Sequence, residues 1–148
     1  KSLLGSHPFI LEKNRIESIL SGINDDPDYV NATLKFRGNI YQADISLKGD
    51  LSDHWKDHRQ MSLKIKLNDG FINGAKKFSI HKIQARQYPS NDIFSSLVKK
   101  IGNLSNDIQY IRVKFNGQNW GIMNMESSVD KFFLERLKMN KYIELNLR

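Results

Sequence analysis

Read as a pattern of apolar and polar positions, the chain is dominated by alternation. Residues 30–36 and 40–47 each alternate with period two around a Gly38-Asn39 turn pair. They predict a β-hairpin that places Phe36 opposite Tyr41, Leu34 opposite Ala43 and Ala32 opposite Ile45 on one apolar face. Residues 61–67 form the cleanest single strand, with Met61, Leu63, Ile65 and Leu67 on one side and Ser62, Lys64 and Lys66 on the other. Residues 77–83 predict a further strand in which Phe78 and Ile80 share a face. A second hairpin closes at Asn116-Gly117, a pair that accepts positive φ at both turn positions. It sets Phe115 against Gln118, Val113 against Trp120 and Ile111 against Ile122, and leaves Tyr110, Arg112, Lys114 and Met123 on a wetter face.

Helical periodicity takes over in three places. Glu12, Arg15, Ile16, Ile19 and Leu20, followed by Gly22, predict a short amphipathic helix after His7-Pro8. Ser90 is placed to cap a helix whose buried stripe is Ile93, Phe94, Leu97, Val98 and Ile101, with Gly102 as its terminating glycine. Ser127 or Ser128 opens a third helix, with Asp130 in its first turn and Phe133 and Leu137 at helical spacing. Residues 24–28, 50–60 and 84–89 read as loops. Strands outnumber helices and tight hairpins dominate, so the class is α+β: an antiparallel β-sheet with a packed helix.

At 148 residues and 39% hydrophobic content the chain is long and apolar enough for one globular domain or lobe. No apolar run approaches ~20 residues, so no transmembrane segment is expected. The chain starts without Met, which points to a removed upstream segment. Cysteine is absent, which excludes disulfides and thiolate metal sites. The net charge is +7, and its excess is concentrated: residues 48–100 carry 11 Lys/Arg against 5 Asp/Glu. That balance suits an anionic partner, and equally a solvated lysine-rich surface. Nucleic acid is the least suited partner, because no aromatic platform is interleaved with the basic residues. His54 and His58 have helical spacing for a metal pair but no third ligand nearby, and the acids around Pro27 lack the glycine and distal glutamate of a calcium loop.

From about residue 43 to about residue 139 the sequence resembles the spore coat protein H (CotH) kinase family. The resemblance is carried by Lys48-Gly49-Asp50, Ser52, Trp55 and Arg59 ahead of the alternating strand, then by Gly74-Ala75-Lys76-Lys77-Phe78-Ser79-Ile80-His81. It ends on Asn116-Gly117-Gln118-Asn119-Trp120-Gly121, followed by Glu126, Asp130, Phe133 and Leu134. The family's usual triplet is Arg-Gly-Asn, so Lys48 keeps the charge and loses the planar fork. The resemblance implies an atypical protein-kinase-like fold, with residues 1–29 as an extension, 30–126 as the amino-terminal lobe and 127–148 as the hinge and start of the second lobe. It also implies ATP with Mg or Mn as cofactors of the full-length protein, serine or threonine of a partner protein as acceptor, and a spore-coat or extracellular location.

Four residues are candidates for nucleotide binding under that resemblance. Lys64, on the polar side of its strand, is placed to neutralise phosphates, and the alternative is a solvated lysine on an open sheet face. Lys48 and Arg59 flank a loop that would cover phosphates. Glu126 either positions a hinge that receives adenine or accepts backbone amides at a helix start. No catalytic or metal residue is assigned within the chain, since the base and metal carboxylates of a kinase belong to its second lobe, expected beyond Arg148. The fragment alone is therefore expected to be inactive. The rival expectation is a non-enzymatic coat or cell-surface scaffold that binds acidic protein or polymer through the basic middle third.

Overall fold

The computed structural model describes residues 7–22, 28–49, 54, 57 and 59–136. The elements in chain order are α1 (His7–Ser21), β1 (Val30–Phe36), β2 (Asn39–Leu47), β3 (Leu63–Leu67), β4 (Lys77–His81), a 3-10 turn (Gln84–Arg86), α2 (Ser90–Lys100), β5 (Ile108–Phe115), β6 (Gln118–Ser127) and α3 (Lys131–Arg136). The class is α+β. All six strands belong to one curled antiparallel sheet of order β1-β2-β3-β4-β6-β5, so both hairpins share a layer.

Alternation decides which face each strand buries. Leu47, Leu63, Ile65, Leu67, Phe78, Ile80 and Met125 form the core on one face, and Leu11 of α1 joins them. The first hairpin turns at Arg37-Gly38, both at positive φ, so Phe36 opposes Asn39 and Leu34 opposes Tyr41. The expected register is off by two residues, and because the side-chain period is two, every apolar residue keeps its face.

The second hairpin differs in a more consequential way. Phe115 opposes Gln118 and Lys114 opposes Asn119, but Val113 opposes Gly121 and Ile111 opposes Met123. Trp120 is an additional residue, a β-bulge, and Gly121 follows it at φ 79°. From there the strand's faces exchange relative to the expectation: Met123 is fully buried and Ile122 is 52% exposed. Trp120 is buried as expected, but it stacks on Phe115, with ring centroids 4.5 Å apart.

The helices also depart from their expected faces. In α1 the buried residues are Leu11, Asn14 and Ser18, while Ile16, Ile19 and Leu20 are exposed. Asn14 Nδ2 donates to the Asp28 carbonyl at 3.2 Å, tying α1 to the segment entering β1. In α2 the expected apolar stripe faces outward: Ile93, Phe94, Leu97 and Ile101 are all exposed, Phe94 by 67%. The helix is held through its polar side instead. Ser95 Oγ lies 2.6 Å from Ser105 Oγ, Lys99 Nζ lies 2.9 Å from Asp107 Oδ1, and Asp92 accepts from the Tyr110 hydroxyl. The partners the helix meets, Ser105, Asn106, Asp107 and the Tyr110 hydroxyl, are polar, so they offer an apolar stripe nothing to bury against.

Helix ends follow backbone chemistry. Ser90 is the first residue of α2, not a side-chain cap. At the other end Gly102, at φ 81°, donates to the Lys99 carbonyl while Asn103 donates to that of Val98, a Schellman closure. Asp130, not Ser127 or Ser128, caps α3, its Oδ1 accepting from the Phe133 amide at 3.0 Å. Phe133 is buried; Leu137 lies outside the described residues, as do Asp50, Ser52, Trp55, His58 and most of the loop at residues 24–28.

Candidate functional site

The polar positions of the central strands form a second buried surface behind the core. The register places Ser46 beside Lys64, Lys64 beside Ser79 and Ser79 beside Glu126; His81 pairs with Asn124 one step along. Ser46, Ser62, Ser79, His81 and Asn124 are all about as inaccessible as the apolar core. The 3-10 turn brings Arg86 over this surface, and the segment entering β5 contributes Asn106.

Glu126 is the hub. One carboxylate oxygen accepts from the Arg86 guanidinium, and the other accepts from Asn106 Nδ2 at 2.5 Å. His81 Nε2 lies 3.7 Å from the same carboxylate. That contact is not an ion pair, because burial, reinforced by Arg86 and Lys48, pushes the imidazole down to about 3 and keeps it neutral. Both ring nitrogens of His81, Nε of Arg86 and Oδ1 of Asn124 lack a hydrogen-bond partner among the described residues. Buried polar groups are rarely left so, which singles out this stretch of the sheet face as the candidate site.

Lys48 enters from the end of β2. Its ammonium is half-buried and donates to Ser79 Oγ at 2.8 Å, with no carboxylate in ion-pair range among the described residues. Burial lowers its pKa; Glu126 opposes that, and Arg86 and Lys64 add to it. Beside it, His54 Nδ1 lies 2.9 Å from Ser62 Oγ, and the His54 ring stands edge-on to His81 at 5.7 Å between centroids.

Of the four residues expected at a nucleotide site, the structure brings Lys48, Lys64 and Glu126 to one face. Lys64 is exposed, its Nζ 5.9 Å from the centre of the Tyr29 ring. Glu126 sits inside β6, its side chain committed to Arg86 and Asn106. Arg59 is exposed, its amide bonded to Asp57, and no contact joins its side chain to the others among the described residues. Sequence reasoning missed His81, Arg86, Asn106 and Asn124. The signal for His81 and Asn124 was their alternation with apolar neighbours; what buries them is a turn and a loop whose path the pattern does not encode.

Among the described residues Lys48 and Arg86 lie around the mostly buried carboxylate of Glu126, with Lys64 exposed on the same face. Such a surplus of cations in a partly desolvated place favours an anion. Among the described residues no group of three His, Asp or Glu gathers to hold a metal ion. No helix there is long and apolar enough to cross a membrane. Neither the protein-family models nor the curated proteins contain a match to the chain.

Proposed function

We propose that the chain is the nucleotide-facing lobe of a CotH-like atypical protein kinase, and that its polar sheet face receives the phosphates of ATP. The observation that carries this reading is Lys48, a half-buried ammonium that donates to a neutral hydroxyl and has Arg86 and Lys64 near it besides Glu126, whose carboxylate is already bonded to Arg86 and Asn106. An anionic oxygen placed beside it relieves both the desolvation and the repulsion from Arg86 and Lys64. The order of elements after α1 supports the same reading: hairpin, strand, one additional strand, helix, hairpin and helix, with both hairpins in one sheet.

In that scheme Lys48 and Lys64 neutralise phosphate oxygens while Glu126 holds the Arg86 guanidinium, whose Nε has no partner among the described residues. The divalent ion that the resemblance implies, Mg or Mn, would supply charge neutralisation to the phosphates. Its carboxylate ligands, and the base for the proton of a serine or threonine hydroxyl, would come from a second lobe. The experiment is a titration of a fluorescent ATP analogue into the protein extended by its second lobe. Lys48→Ala weakens binding by about tenfold, the value of one lost charge-assisted contact, and Lys64→Ala weakens it less. Unchanged affinity in Lys48→Ala rejects the assignment.

A second reading rests on a separate feature. Lys64, Lys66 and Lys77 are exposed on the same sheet face, with Lys66 directly opposite Lys77. Such like-charged neighbours suit a non-enzymatic scaffold that binds acidic protein or polymer. It is favoured if the protein is held on an anionic matrix, is released by salt, and is not displaced by ATP.

A further inference from the structure

The apolar face of the sheet is not filled along its whole length. A cavity of about 780 Å³ runs beneath β1 and β5, with Leu34, Phe36, Ile65, Phe78, Ile111 and Val113 among its walls. Every residue of β1, and β5 from Gln109 onward, lines this one space. The sheet therefore curls until its two edge strands face each other, and neither edge is paired to the other. The volume falls within the ~300–1,000 Å³ typical of small-molecule pockets, and the mainly apolar lining is typical too.

The charge around the cavity is one-sided. Lys35 and Arg37 from the first hairpin and Arg112 and Lys114 from β5 border it; Lys35, Arg112 and Lys114 alternate with its apolar wall residues and so stand at the outer margin of the two edge strands, and no Asp or Glu among the described residues lines it. All four cations are exposed, and none is ion-paired among the described residues. The Arg37 guanidinium lies 5.3 Å from the centre of the Phe36 ring, linking the charged rim to the apolar wall.

We propose that this cavity binds a single-chain anionic amphiphile, a long-chain fatty carboxylate, with its tail along the apolar floor and its carboxylate at the cationic rim. An added peptide strand fits less well. Five successive antiparallel pairings leave β1 and β5 running in opposite directions, so one inserted strand would be parallel to one edge and antiparallel to the other. The apolar floor lies on the face opposite the Lys48 cluster, and the site does not depend on the nucleotide reading.

The test is displacement of a dansyl-labelled fatty acid from the full chain by oleate and by oleyl alcohol, both below their micellar concentrations. Oleate displaces the probe with one-to-one stoichiometry, and the alcohol, which lacks the charge, does so about fivefold to tenfold more weakly. Ala32→Trp, which fills the cavity from β1, abolishes binding while circular dichroism is unchanged. Arg37→Ala combined with Arg112→Ala weakens oleate by a similar fivefold to tenfold and leaves the alcohol unaffected. These two residues are exposed, so the double variant remains informative if Ala32→Trp fails to fold. Absence of displacement, equal displacement by the alcohol, or full binding by folded Ala32→Trp overturns the proposal. So does displacement by an acidic peptide but not by oleate.

Discussion

Leu47, Leu63, Ile80 and Met125 stand in a row across four strands on one face of the sheet; one residue along, Lys48, Ser62, His81 and Asn124 stand in a row on the other. Apart from Lys48, members of both rows are almost wholly removed from water. The apolar row is satisfied by contact alone, and neighbours of suitable volume suffice. The polar row needs directed partners, and among the described residues His81 has none at either nitrogen. Equal burial thus carries unequal demands. One face is satisfied by packing, and the other requires directed hydrogen bonds.

The sharpest way to break this contrast is at the bulge, where adjacent residues belong to opposite environments. Met123→Lys places an ammonium in the core and is expected to destabilise by roughly 4 kcal/mol or more. Ile122→Lys, one position earlier and exposed, is expected to change stability by less than about 0.5 kcal/mol. Equilibrium urea unfolding of both variants checks the pair; similar losses would mean that the bulge is absent. Next in size, Leu63→Ala is expected to cost about 2–5 kcal/mol by opening a cavity, whereas Lys64→Ala stays within about 0.5 kcal/mol in the same assay.

A smaller effect sharpens the polar side. Folding holds His81 at about 3 against 6.5 when solvated, so as pH falls the unfolded chain takes up the proton first. Stability attributable to His81 is therefore whole above about pH 6.5 and is lost progressively down to about pH 3, at no more than about 1.4 kcal/mol per pH unit. His81→Gln, which does not titrate, flattens this part of a plot of urea midpoint against pH. An unaltered slope would show that His81 is accessible to protons in the folded protein.

Much of the fold was legible because it depends on periods and turns. The strands near residues 30, 63, 78 and 110, the Asn116-Gly117 turn, the Gly102 helix end and the shared face of Leu63, Ile65 and Leu67 all follow from local sequence. The bulge at Trp120 was the point of failure, since Gly121 was read only as part of a motif and not as the residue that follows an inserted position. That single residue moved Met123 into the core and Ile122 out of it. The faces of α1 and α2 were misjudged for another reason: hydrophobic periodicity identifies a stripe but not what lies opposite it. At the candidate site Lys48, Lys64 and Glu126 were selected by charge and position, whereas Arg86 and Asn106 arrive from loops through tertiary contacts that no periodicity announces.

One consequence follows from how α2 is fastened. Hydroxyl contacts through Ser95, the Asp92 link to Tyr110 and the Lys99–Asp107 ion pair hold it, with its oily side turned to solvent. An element secured this way detaches without opening the sheet, so its amide protons exchange through a local, salt-sensitive excursion while those of β3 and β4 wait for global unfolding.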